Sequence, residues 1–72
     1  MGKIKPRSAS EVIKILETHG FEISRQKGSH IIMQKKSDDD TITVPIPNHK
    51  EIQIGTLRSI IRQSEINRKE FE

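Results

Sequence analysis

The stretch Arg25-Gln26-Lys27-Gly28-Ser29-His30 places two cations, a hydroxyl and an imidazole side by side. An imidazole titrates near neutrality, so it can accept and return a proton within one reaction cycle. Cleavage of RNA without a metal needs that chemistry. A base takes the proton from a ribose 2′-OH and the freed oxygen attacks the adjacent phosphorus. Cations then stabilise the charge that gathers on the phosphoryl oxygens. Arg25, Lys27 and Lys35 stand close enough in sequence to His30 to supply those cations. Gly28 lets backbone approach a phosphate and expose N–H groups to it. Ser29 can donate a further hydrogen bond. Spacing alone favours a plainer account, a basic β-turn followed by a solvent-exposed histidine, because an isolated histidine has many ordinary uses.

The remaining polar groups offer less. His19 precedes Gly20 at the end of an apolar-periodic stretch and is read as a partner of a helix C-terminus. His49 lies in the loop "PIPNHKE", where it is either a plain loop residue or a second proton carrier. Asp38, Asp39 and Asp40 are consecutive in a polar stretch and cannot easily converge on one ion, so they read as a solvated turn. With no cysteine in the chain and no histidine pair at zinc-like spacing, neither a metal nor a cofactor is expected. Arg58 and Arg62 are four residues apart on one helix face and read as surface charge open to an acidic partner or RNA. The two aromatic residues, Phe21 and Phe71, are too few for a base-stacking sheet.

These groups must be held by a small frame. "SASEVIKILETHG" predicts a helix, with Ser8 and Glu11 at capping-box spacing and Ser10 as a rival cap. Val12, Ile13 and Leu16 form its apolar face, and Gly20 ends it. "FEISRQ" alternates, predicting Phe21 and Ile23 inward and Ser24 and Gln26 outward. After a turn at Lys27-Gly28, "HIIMQK" predicts Ile31 and Met33 inward and His30, Ile32 and Gln34 outward. "TITV" predicts a third strand that Pro45 and Pro47 terminate. "IQIGTLRSIIRQSE" predicts a second helix, with Ile54, Leu57, Ile61 and Ser64 as its buried stripe and Ile60 beside it. "NRKEFE" predicts a last turn capped by Asn67.

The predicted fold is therefore α+β, in the order α-β-β-β-α, with both helices on one face of a three-stranded antiparallel sheet. That is the order of a double-stranded-RNA-binding domain. The opposite face stays wet and carries His30, with Ile32 beside it as an apolar spot suited to a protein partner.

At 72 residues the chain is expected to be one domain, 1–72, whose residues 1–7 form a loose basic arm. Hydrophobic residues make up 31% and charged residues 32%, which suits a small core under a well-solvated surface. No charged-then-apolar leader and no long apolar run is seen, so neither secretion nor a membrane is expected, and the cytoplasm is the expected compartment. Net charge is +3, divided as +5 over residues 1–36 and −2 over residues 37–72. A basic first half suggests an anionic partner, with nucleic acid the leading candidate.

Gly20-Phe21, the "RQKGSH" block, Val44-Pro45 and Gly55-Thr56-Leu57 with Ile60-Ile61 together resemble the HicA family of toxins, from about Ser8 to Phe71. The resemblance implies a fold like a double-stranded-RNA-binding domain and metal-independent cleavage of mRNA, with the histidine at position 30 as the catalytic group. It also implies a HicB-type antitoxin that covers the active site. DNA would then be met only indirectly, through the antitoxin complex. Met33 stands where an aromatic residue is common, "PIPNHKE" varies the usual "VPxH" segment, and Glu65 replaces a glycine that usually ends the second helix. The rival readings are a non-catalytic module for duplex RNA, which shares the fold and basic balance, and a purely structural interaction domain.

Overall fold

The computed structural model describes residues 3–72. The chain runs α1 (Ala9–Thr18), β1 (Glu22–Lys27), β2 (His30–Lys36), β3 (Thr41–Pro47), α2 (Ile54–Ser64) and a short 3-10 turn (Arg68–Phe71). This is the expected α-β-β-β-α order, with an antiparallel sheet in the spatial order β1-β2-β3. No helix among the described residues is long and apolar enough to cross a membrane.

Local chemistry fixes both ends of α1. Ser8 is the cap: its Oγ accepts from the Glu11 N–H at 3.2 Å, and the Glu11 carboxylate accepts from the Ser8 N–H at 3.4 Å. This reciprocal pair satisfies backbone donors that the first turn leaves free. At the other end Gly20 takes φ +90°, and the chain folds back on itself. The Phe21 N–H donates to Leu16 O and the Gly20 N–H to Glu17 O, the pairing of a Schellman motif. Phe21 and Leu16, both buried, supply its hydrophobic contact. Helix end and strand start are thus a single device that delivers Phe21 to the core.

β3 runs further than expected, through Pro45 to Pro47. Its register explains why. Pro45 pairs with Ile32 and Pro47 with His30, two positions apart, so both proline nitrogens face the same side of the strand. β3 is an edge strand, and that side is its open edge, where no ladder donor is required.

The core lies between the sheet and the helices. Leu16, Met33, Val44, Ile46 and Leu57 have no accessible surface. α1 contributes Ala9, Val12 and Leu16, and α2 contributes Leu57, Ile60 and Ser64. Both helices lie chiefly over β3, so β1 is exposed along its whole length. Ile23, expected to point into the core, is consequently 51% exposed.

The N-terminal stretch also differs from the expected loose arm. Met1 and Gly2 lie outside the described residues, but Ile4 is buried and Arg7 forms an isolated antiparallel bridge with Ile52. The Arg7 guanidinium donates to Phe71 O through Nε (3.2 Å) and Nη2 (3.1 Å), and Nη2 also donates to Glu72 O (3.0 Å). Five donors in a rigid fork suit Arg to binding several carbonyls at once. The bridge also explains why α2 starts at Ile54 rather than Ile52: Ile52 is extended and fully buried. Asn67 caps the 3-10 turn, its Oδ1 accepting from the Lys69 N–H at 2.9 Å, and Phe71 is buried.

Candidate active site

His30 opens β2 on the sheet face that neither helix covers, and its side chain is exposed. Two backbone devices hold it. The first is the hairpin: Lys27 pairs with His30, so Gly28-Ser29 forms a two-residue turn. Gly28 has φ +60° and Ser29 does not, the pattern of a type II′ turn with glycine at its first central position. The second device is β3. Pro47 lies opposite His30 from the other side, and the Asn48 N–H donates to Ser29 O at 2.7 Å. A histidine with little packing of its own is thus fixed by both neighbouring strands.

The two flanking cations reach the same face because β1 is irregular. Strict alternation would put Ser24 and Gln26 beside His30. Instead Ile23 pairs with Met33 and Arg25 with the next residue, Ile32, which leaves Ser24 as an extra residue in a bulge. Beyond Ser24 the parity reverses. Gln26 now pairs with Ile31 on the helix side, while Arg25 and Lys27 pair with Ile32 and His30 on the open face. Two demands collide here. The Schellman end of α1 sets which way Phe21 and Ile23 face, and the Gly28-Ser29 turn sets Lys27 against His30. The bulge reconciles them, a common use of bulges near functional sites. Lys27 is directly across from His30, with the two Cα atoms about 5.5 Å apart by ladder geometry. Arg25 is diagonal to His30, at roughly 7–8 Å.

Lys35 does not join this group. It pairs with Ile42 on the helix side of the sheet, and its Nζ stands 6.0 Å from the centre of the Phe21 ring. Five residues along a strand also separate it from His30 by about 17 Å. Odd separation on a strand means opposite faces, so closeness in sequence misplaced this cation. Lys36 shares the open face with His30 but lies at the far end of β2, beside the aspartate turn. There the Ser37 N–H donates to Asp40 O at 2.9 Å, and the Asp40 carboxylate accepts from the Thr41 N–H at 2.8 Å. The acidic turn is therefore some 20 Å from His30.

His19 is engaged elsewhere. Its Nδ1 is 2.9 Å from Ile15 O, a carbonyl of the last turn of α1, and 3.1 Å from the Thr18 hydroxyl. His49 sits at the His30 end of the molecule. Its carbonyl accepts from the Ala9 N–H at 3.0 Å, and it helps to line a cleft of about 420 Å³ with Ser8, Ser10, Asn48 and Lys50. Pro47 and Asn48 carried no signal as site residues in the sequence, because their role is exerted through backbone. A second cleft, of about 280 Å³, opens at the bulge between Glu22, Ser24, Gln34 and Lys36. His30 itself stands on open surface rather than in either cleft. Ile32, next on the same face, is half-buried.

The fold and this face define a small α-β-β-β-α protein that presents an exposed imidazole beside two cations on an uncovered sheet face. Comparison with known families narrows the class. The family model for the HicA toxin of bacterial toxin–antitoxin systems matches residues 9–66, and the chain belongs to that family. Membership makes it the toxin of a toxin–antitoxin pair, and so implies an antitoxin partner. No curated protein gives a significant match.

Proposed function

We propose that the chain is an endoribonuclease that cleaves mRNA in the cytoplasm without a metal ion, with His30 as its general acid or base. The observation that carries this reading is the grouping of His30, Lys27 and Arg25 on the uncovered face. His30 exchanges the proton of the 2′-OH or of the leaving 5′-oxygen. Lys27 and Arg25 bind the phosphates on either side of the scissile bond. Gly28 and Ser29 keep the turn low enough for backbone to pass close to the strand. The exposed, open setting of His30 suits a polymer that is threaded past it rather than a small molecule that is enclosed. A HicB-type antitoxin inhibits by covering this face, where half-buried Ile32 offers apolar contact.

Induced expression should arrest growth and fragment transcripts, and the purified protein should cut single-stranded RNA in the presence of EDTA. His30 is exposed and lies outside the hydrophobic core, so His30→Ala should keep its circular-dichroism spectrum and melting temperature. Loss of general acid–base catalysis should lower cleavage by ~10²- to 10⁴-fold. Equal toxicity of His30→Ala would refute the assignment. Tight, salt-sensitive binding of duplex RNA with no cleavage by the unaltered protein would instead favour a non-catalytic module.

A further inference from the structure

On the helix side of the molecule, away from the His30 face, lies a cleft of about 210 Å³ lined by Ile4, Arg58, Ile61, Arg62 and Arg68. Its floor is aliphatic: Ile4 comes from the N-terminal stretch and half-buried Ile61 from α2. Its rim is cationic. Arg58 and Arg62 are exposed one turn apart on α2 and form no ion pair among the described residues. Arg68 enters from the 3-10 turn, where its Nε stands 3.5 Å from the Glu72 carboxylate. Three guanidinium groups around two isoleucines are an unusual use of surface for a domain with so few apolar residues to spare.

We infer that this cleft docks an acidic, amphipathic segment of a partner protein, one that seats an aliphatic side chain on Ile4 and Ile61 and sets carboxylates against Arg58, Arg62 and Arg68. The volume suits one or two aliphatic side chains. Arg is the cation best matched to carboxylate pairing at an interface. Nucleic acid fits less well. Phosphates would pair with the arginines, but bases would find no aromatic platform, because both phenylalanines are buried in the core. The site does not depend on the ribonuclease reading, since it shares no residue with the His30 face. A partner held here can remain attached while that face is open.

The test uses the full chain and a synthetic peptide probe of about a dozen residues with Leu at i and i+4 and Glu at the flanking positions. A second peptide carries Lys in place of Glu, and a single-stranded RNA oligomer serves as the third probe. Amide NMR shifts and fluorescence anisotropy are read for each. The acidic peptide should shift Ile4, Arg58, Ile61, Arg62 and Arg68 and leave His30 unmoved. Arg58→Gln with Arg62→Gln, both at exposed positions, should keep the fold, as read by circular dichroism, and weaken peptide binding by about tenfold or more. The lysine peptide should not bind. Unchanged affinity in the double variant, or shifts confined to other surfaces, would overturn the inference. So would RNA shifting the cleft residues in place of the peptide. Concentration-dependent dimerisation that the double variant abolishes would likewise overturn it, making the occupant a second copy of the chain.

Discussion

Replacing Glu65 with glycine should stabilise the protein, and the size of the gain can be worked out in advance. Glu65 ends α2 with φ 60° and ψ 21°, and it is the sole non-glycine residue at positive φ among those described. The conformation is needed because the Glu65 N–H donates to Ile61 O at 3.1 Å while the chain turns away to bury Ile66. For an L-residue with a Cβ, that region costs about 1–2 kcal/mol. Glycine removes the cost but adds backbone freedom to the unfolded chain, which returns about 0.5–1 kcal/mol. Taking the middle of each range, the net conformational gain is about 0.5–1 kcal/mol. A second effect acts in the same direction. Glu65 holds a negative charge at a helix C-terminus, where the backbone already presents partial negative charge, and removing it contributes about 0.3–1 kcal/mol at low salt.

Glu65→Ala separates the two effects, since alanine loses the charge but keeps the strain. In a domain of this size 1 kcal/mol corresponds to about 4–8 °C of melting temperature. Glu65→Ala should therefore raise the melting temperature slightly at low salt, and the gain should fade as salt is added. Glu65→Gly should add a further ~2–8 °C that salt does not remove. Glu65→Asn should fall between the two, because asparagine tolerates this region better than most residues. Thermal melts followed by circular dichroism at two salt concentrations decide the matter. If Glu65→Gly melts no higher than Glu65→Ala, the turn is unstrained and the reasoning fails.

Three further outcomes follow from the geometry. Lys27→Ala should weaken RNA cleavage by roughly tenfold or more, while Lys35→Ala should leave it unchanged, because Lys35 lies on the opposite face; cleavage assays at matched protein concentration compare the two. Gly28→Ala should cost about 1–3 kcal/mol through backbone strain alone, since an added Cβ at Gly28 meets no atom within 4 Å, and a denaturant titration should show it. Phe71→Ala should cost about 3–5 kcal/mol and leave the chain largely unfolded, as read by loss of chemical-shift dispersion, because Phe71 is fully buried near the end of the chain.

The features written in local chemistry were legible in the sequence. The capping box of Ser8 and Glu11, the stop at Gly20, the Gly28 turn and the Asn67 cap each need only a few neighbouring residues to be recognised. Features that depend on which element covers which were not. Ile23 has the right parity for the core, but the helices sit over β3 and leave β1 uncovered, so its side chain remains in water. Pro45 and Pro47 read as strand breakers until β3 is known to be an edge. Arg7 reads as arm charge until the C-terminal carbonyls are brought beside it from the far end of the chain. Nothing in a six-residue window carries information about contacts of that sequence separation.

The candidate site falls between these cases. His30 was placed on the open face by alternation within β2, a strand without irregularities, and that inference needed no tertiary knowledge. Nearness in sequence singles out Arg25 and Lys27 as partners of His30, yet regular alternation from Ile23 would turn both toward the helices. They face His30 because Ser24 is extra. The same proximity argument fails for Lys35, where no irregularity intervenes and odd separation sends the side chain to the other face. Sequence distance was therefore a sound guide to the cations only where a bulge corrected the parity. This makes Ser24 the position on which the site's composition turns. Deleting Ser24 removes the bulge, so the end of α1 and the Gly28-Ser29 turn can no longer both be satisfied: either β1 strains or Arg25 and Lys27 turn toward the helices.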